Sequence, residues 1–227
     1  MSNVNQWQFE ELPNSKIIIT EEVLNRLHII IGRTSWIASE HSTTLFGQKI
    51  SEDNIWLIDS VNVNEDYNSR GVNSTVSTDY SVSNGYEQSK EIVEKLNQKP
   101  GTVVIDVHTH PSGIIEDYRF VSAGDLSTYI KYNDIVTDKG GTFFAGLVGV
   151  DRMNGNMSFS VICYDKSNSK FYRIQDIYLR KRLENGIYRD FPFVKYGNTQ
   201  LIMQMWGDQC AVVNYQIEEG LKGFKHR

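Results

Sequence analysis

Of the five histidines in the chain, His108 and His110 are separated by a single residue. The run Thr102 to His108 is almost continuously apolar, so it reads as a strand buried on both faces. Residues two apart on a strand share a side. His108 and His110 are therefore expected side by side at a strand end, where Pro111 and Gly113 stop the ladder. Two neutral imidazoles so placed suit a divalent cation such as zinc, although a lone His-x-His is more often an ordinary surface or core pair. Further on, Ser122-Ala-Gly-Asp125 puts an acid in the first turn of a helix. A carboxylate there is a natural third ligand that leaves one position open for water. The same four residues also read as a helix cap with Ser122 at the N-cap, and the two readings are compatible. Glu40, just before an apolar strand, is a proton acceptor of the kind that a metal-bound water needs; taken singly it reads as a solvated loop acid.

The elements that must position these residues follow from local pattern. Residues 1–15 are polar, contain Pro13 and read as a lead-in, followed by a β-branched strand at Lys16–Thr20. Thr20 offers an N-cap, Glu21 and Glu22 fill a first turn, and Val23, Leu27, Ile30 and Ile31 fall at helical spacing. Strands are expected at Thr43–Gly47 and Ile55–Val63, joined by a hairpin over Ser51–Asn54. Residues 64–85 are crowded with Ser, Thr, Asn and Gly and read as a long loop or a short exposed strand. Helices are expected over 86–98, ended by Pro100-Gly101, and over 122–133. Strands follow at 141–150 and 157–164 around an Asn154-Gly155 turn. Residues 174–183 look helical, 186–197 are aromatic and irregular, and 201–221 alternate ambiguously. The organisation read from this is a lead-in at 1–15, a core domain at 16–166 and a C-terminal extension at 167–227 packed on it.

At 227 residues the chain is long enough for one large domain with one active site. With 23 basic against 28 acidic residues and a net charge of −5, it is a poor candidate for a nucleic-acid binder held by phosphate contacts. Apolar stretches such as Phe143–Val150 are far short of the roughly 20 residues of a membrane helix, and the first thirty residues lack a signal pattern, so no membrane association and a cytoplasmic location are expected. Cys163 and Cys210 form no CxxC and are expected as free, largely buried thiols.

Taken together, the motifs resemble a known family. Glu40, Leu45 and Gly47 are similar to the E-x4-L-x-G start of the JAB/MPN, or JAMM, metalloproteases, and His108-Thr-His-Pro-Ser-Gly113 with Ser122-x-x-Asp125 resembles their H-x-H-P…S-x-x-D core. The order of residues and of elements matches over about 16–166. The resemblance implies an α/β fold of the JAB/MPN, cytidine-deaminase-like type: a mixed central β-sheet flanked by helices. It implies one zinc ion held by His108, His110 and Asp125, with Glu40 as general base and Ser122 stabilising the oxyanion. The segment between His110 and Asp125 is a few residues longer than usual, which lets Glu116 and Asp117 compete as ligands, but only Asp125 has a serine three residues before it. Asp106 shares the histidines' side of the strand and is a candidate to orient an imidazole, with a salt bridge or loop-side solvation as the plain alternative.

The prokaryotic deubiquitinase-like branch implies hydrolysis of the amide bond after the C-terminal tail of a ubiquitin-like protein, with E1-like and E2-like enzymes as functional neighbours. There the 64–85 segment could add a strand to that tail through Val72, Val76 and Val82, or could be a plain loop. Alternatives within the family are a peptidase or amidase on small-molecule, sulfur-carrier or cell-wall peptide substrates, and a catalytically silent MPN scaffold. DNA-linked relatives carry H-N-H-P-S-G, which Thr109 and the acidic balance weigh against. Oligomeric state is not legible.

Overall fold

Strand β6 (Thr102–His110) has two buried faces because each meets a different partner layer. The computed structural model describes residues 9–25, 27, 39–40, 42–61, 72–73, 90–110, 121, 123–151, 156–195, 201–206, 209–217 and 221–222. Along β6, Val103, Ile105 and Val107 join one apolar cluster, and Val104 joins another.

The strands before and after it are β1 (Glu10–Thr20), β2 (Ser39–Glu40), β3 (Ser42–Lys49), β4 (Ile55–Val61), β5 (Val72–Asn73), β7 (Thr142–Asp151), β8 (Asn156–Asp165), β9 (Lys170–Arg182) and β10 (Tyr188–Lys195). After these come β11 (Leu201–Trp206), β12 (Gln209–Ile217) and β13 (Leu221–Lys222). The described helices are α1 over 21–25, α2 over 90–98 and α3 (Ala123–Asp138). In α1 the Val23 amide donates to Thr20 Oγ1 at 3.4 Å, the cap that the sequence offers.

The sheet order runs β9-β1-β4-β3-β6-β7-β8, and β8 pairs back onto β9. That last pairing closes a seven-stranded barrel. It overturns the α/β expectation of a mixed central sheet flanked by helices: strands dominate, and α2 and α3 cover an arc of a closed wall. Parallel pairings do occur, between β1 and β4, β1 and β9, and β6 and β7. The closing stave β9 comes from the stretch after residue 166. Its Ile174 and Ile177, three apart, mimic a helical turn in the sequence; in the barrel both are buried in the interior cluster, where β1 pairs Leu12 with Ile174 and Ile17 with Ile177 across a register shift. β1 itself starts at Glu10 rather than Lys16, passing Pro13 through the same irregularity, with Asn14 at φ 54°.

The hairpin that closes the barrel pairs Asp165 with Lys170. Its turn is held by Asp165 Oδ1, which accepts from the Ser167 amide at 2.9 Å and from its hydroxyl at 2.7 Å; these bonds hold the Asp165 carboxyl below its ordinary pKa. Lys166 reaches Asp134 of α3 at 2.8 Å, which ties the turn to that helix. Beyond the closure the sheet branches. β10 extends the far half of β9, and β11 pairs with the start of β8 at Met157 and Asn156.

The barrel interior holds Ile17, Leu45, Ile58, Ile105, Phe144, Phe159 and Leu179 among others, with Val23, Leu24 and Leu27 from the segment of α1. The second cluster lies outside the wall, where Ile92 and Leu96 of α2 and Leu126, Tyr129, Tyr132 and Val136 of α3 cover Phe46, Val104, Phe143 and Leu147. Gly47 sits at a bulge where β3 is pressed onto β4. A methyl group there would overlap the Leu57 carbonyl oxygen and come within 2.8 Å of Ile58 Cα, so the close approach requires glycine.

Candidate metal centre

β6 and α3 bring the first pieces of the site together. The alternation that sends Val103, Ile105 and Val107 inward sends Asp106 and His108 to the wall's outer side, where α3 packs. His108 is largely buried there, with Ser42 of β3 and Leu147 of β7 as its register neighbours. Asp125 lies in the first turn of α3, at the favourable end of the helix dipole.

His108 Nε2 stands 3.9 Å from Asp125 Oδ2. That is too long for a direct hydrogen bond. Two donors on one tetrahedral zinc lie about 3.4 Å apart, given zinc–nitrogen and zinc–oxygen bonds near 2.1 Å, so a small ion fits between this nitrogen and this oxygen after a shift of a few tenths of an ångström. The other ring nitrogen, Nδ1, is 2.8 Å from the Tyr129 hydroxyl. The donor set, one imidazole and one carboxylate with the imidazole's second nitrogen occupied, suits zinc. No cluster of three metal-ligating side chains occurs among the described residues.

His110 ends β6, in register with Gly149 of β7. The β3–β6 register pairs Ser42 with His108. Two residues earlier than Ser42 and two later than His108 stand Glu40 and His110, and β2, which carries Glu40, runs alongside β6. The backbone therefore brings positions 40 and 110 to the same end of the sheet. Ser122, Glu116, Asp117, Val76 and Val82 lie outside the described residues. Val72 is in β5, paired with Glu40 of β2, so part of the 64–85 segment is a short strand next to the expected base. Asp106 is buried at 7 % exposure, with Thr44 and Ala145 as strand neighbours.

No family model matches the chain. No curated protein matches it either. Among solved structures it is similar to the STIL N-terminal domain of Trichoplax adhaerens, at 15 % identity over 64 % of this chain and 41 % of that one, with a TM-score of 0.30. The chain thus spans about two fifths of that structure's length.

Sequence reasoning missed Tyr129. Its signal was present: four residues after Asp125, it falls one helical turn along the same face. Cys163 is free and packs against the barrel interior; burial, with the nearby Asp165 charge, pushes its thiol up to about 12, which leaves it without nucleophilic character. Cys210 is in β12, its side chain outside the described set.

Proposed function

We propose that this chain is a zinc-dependent isopeptidase or peptidase of the JAMM type, acting on the amide bond after the C-terminal tail of a ubiquitin-like protein in the cytoplasm, alongside E1-like and E2-like enzymes. The observation that carries the reading is the 3.9 Å approach of His108 Nε2 to Asp125 Oδ2, a spacing suited to two ligands of one ion. The motif resemblance supplies the remaining roles, on the barrel scaffold described above.

His108, His110 and Asp125 would hold the ion. Zinc, when bound, supplies a Lewis acid that polarises the scissile carbonyl and lowers the pKa of water. Glu40 takes the proton of the attacking water at its carboxylate and returns it to the leaving amine. The Ser122 hydroxyl donates to the carbonyl oxygen as negative charge develops there. The course of β2 beside β6 supports Glu40 as the base. The pairing of β5 with β2 supports strand addition to an extended tail near that residue. No helix among the described residues is long and apolar enough to cross a membrane.

Metal analysis of the purified protein is expected to give about one zinc per chain, the single open tetrahedral site of the proposal, and none once His108→Ala and His110→Ala are combined. Glu40→Ala is expected to keep the zinc and to slow cleavage of a ubiquitin-like protein fused to a reporter by about 100- to 10,000-fold. A full zinc load in the double variant, or undiminished cleavage by Glu40→Ala, sinks the reading.

A further inference from the structure

Among the described residues the exposed large apolar side chains are Ile50, Ile187 and Tyr188, and the last two adjoin at one turn, each more than 60 % exposed. That turn joins β9 to β10, and it is firmly built. The Leu183 amide donates to the Ile187 carbonyl and the Gly186 amide to the Leu183 carbonyl, both at 2.8 Å. The Ile187 amide donates to Asn185 Oδ1 at 3.1 Å, and Gly186 takes φ 80°. Residues 184–189 are exposed without a break, so the tip stands out from the wall.

The charges around the tip fall into two sets. Arg180 is held by Asp190, through Nε at 2.8 Å and Nη2 at 2.9 Å, and Lys181 lies 3.6 Å from Glu21. Arg182 and Arg189 are exposed and have no acid partner among the described residues. The Arg189 guanidinium lies over the Phe191 ring, 5.3 Å from its centroid. Glu184 is the one acid in the exposed run. The tip also has a fixed place relative to the candidate centre. β6 is parallel to β7, β7 antiparallel to β8 and β8 antiparallel to β9, so the hairpin leaves the barrel at the end where β6 finishes in His110.

We propose that the β9–β10 tip docks on an anionic lipid surface, with Ile187 and Tyr188 entering the headgroup boundary and Arg182 and Arg189 lying on the anionic headgroups. An aliphatic side chain beside a phenol suits that boundary, because a tyrosine has an apolar body and a polar end. Two free cations beside the apolar pair select anionic over neutral lipid. The tip is an outward projection, around which a fluid surface can close. Its turn is already hydrogen-bonded, so docking orders little backbone. With two apolar side chains and two cations the contact is weak and reversible. The short apolar stretches of the sequence argue against a spanning helix, and a surface contact needs none. The inference goes beyond the isopeptidase reading and does not depend on zinc; docked in this way, the molecule turns the barrel end that carries His110 toward the membrane.

The test is sedimentation of the full chain with vesicles of phosphatidylcholine containing about a quarter phosphatidylserine. Wild type is expected to sediment with them, and far less with phosphatidylcholine alone. Ile187→Ser combined with Tyr188→Ser, and separately Arg182→Gln combined with Arg189→Gln, are each expected to weaken binding to the anionic vesicles about tenfold. Ile50→Ser removes the exposed apolar side chain just past β3, at the opposite end of the barrel, and is expected to leave binding unchanged. All these side chains are exposed, so the circular dichroism of each variant should match wild type. A wild type that ignores the anionic vesicles, or double variants that bind them as wild type does, overturns the inference. A wild-type dimer in analytical ultracentrifugation that the Ile187→Ser, Tyr188→Ser variant dissociates gives the tip to a second copy of the chain and overturns it equally.

Discussion

The two apolar clusters on either side of the barrel wall are built differently. Inside, every member of the cluster is apolar, and most of the side chains come from strands with a period of two, joined by Val23, Leu24 and Leu27 from the segment of α1. Outside, on the arc covered by α2 and α3, the wall meets helices, and there Tyr129 and Tyr132 enter the cluster with His108 and Asp125 at its edge. A helix offers residues four apart as neighbours, so a carboxylate and a phenol can be aimed at one imidazole. The interior cluster and the candidate metal centre thereby lie on opposite faces of one strand, β6.

That division can be broken from either side. The largest effect is expected at Phe159, fully buried in the barrel interior. Phe159→Ala should lower stability by about 3–5 kcal/mol in urea unfolding while the folded fraction binds zinc as wild type does. Loss of zinc affinity without loss of stability would mean that the two faces are not separable. Gly47→Ala should cost about 1–3 kcal/mol, because the added methyl forces β3 away from the Leu57 carbonyl. Since β3 also carries the Ser42–His108 register, this variant is the one interior change that should weaken zinc binding too, and a melting curve with a parallel zinc titration checks both. The smallest effect is expected at Cys163. With its thiol near 12 the charged form exists only above the ordinary alkaline range, so at pH 8 about one molecule in ten thousand carries a thiolate. Iodoacetamide should label Cys163 in urea and spare it in the native protein, and rapid native labelling would show that the interior is open at β8.

Much of the candidate site could be read directly, because its signals are local. The strand ending at His110, the helix that begins near Asp125 and the strand that contains Leu45 all follow from apolar period and caps within a dozen residues. The closed wall could not be read. It depends on β1 meeting β9 and β8 meeting β9, and the first of these pairs residues about 160 apart with no mark in either segment. The helical reading of 174–183 failed for a related reason. Its apolar spacing of three records a register shift across β1, a tertiary event that a one-dimensional pattern confuses with a helical turn. Tyr129 was hidden differently: a tyrosine in a helix is unremarkable until a ring nitrogen is found beside its hydroxyl.

The parallel pairing of β1 with β9 also has a consequence for assembly. One neighbour of β1 is β4, at 55–61, but the other is made more than a hundred residues later. On a ribosome adding about 5–20 residues per second, β1 therefore waits for several seconds with one backbone edge bare. Such an edge invites pairing with other chains, and loop closure over that separation is slow by its nature. The lysines and acids along β1 and β9, with Lys170 near Glu10 and Arg173 paired to Glu11 in the finished wall, are then bare charges on a waiting strand, and charges on an edge disfavour pairing with the wrong partner.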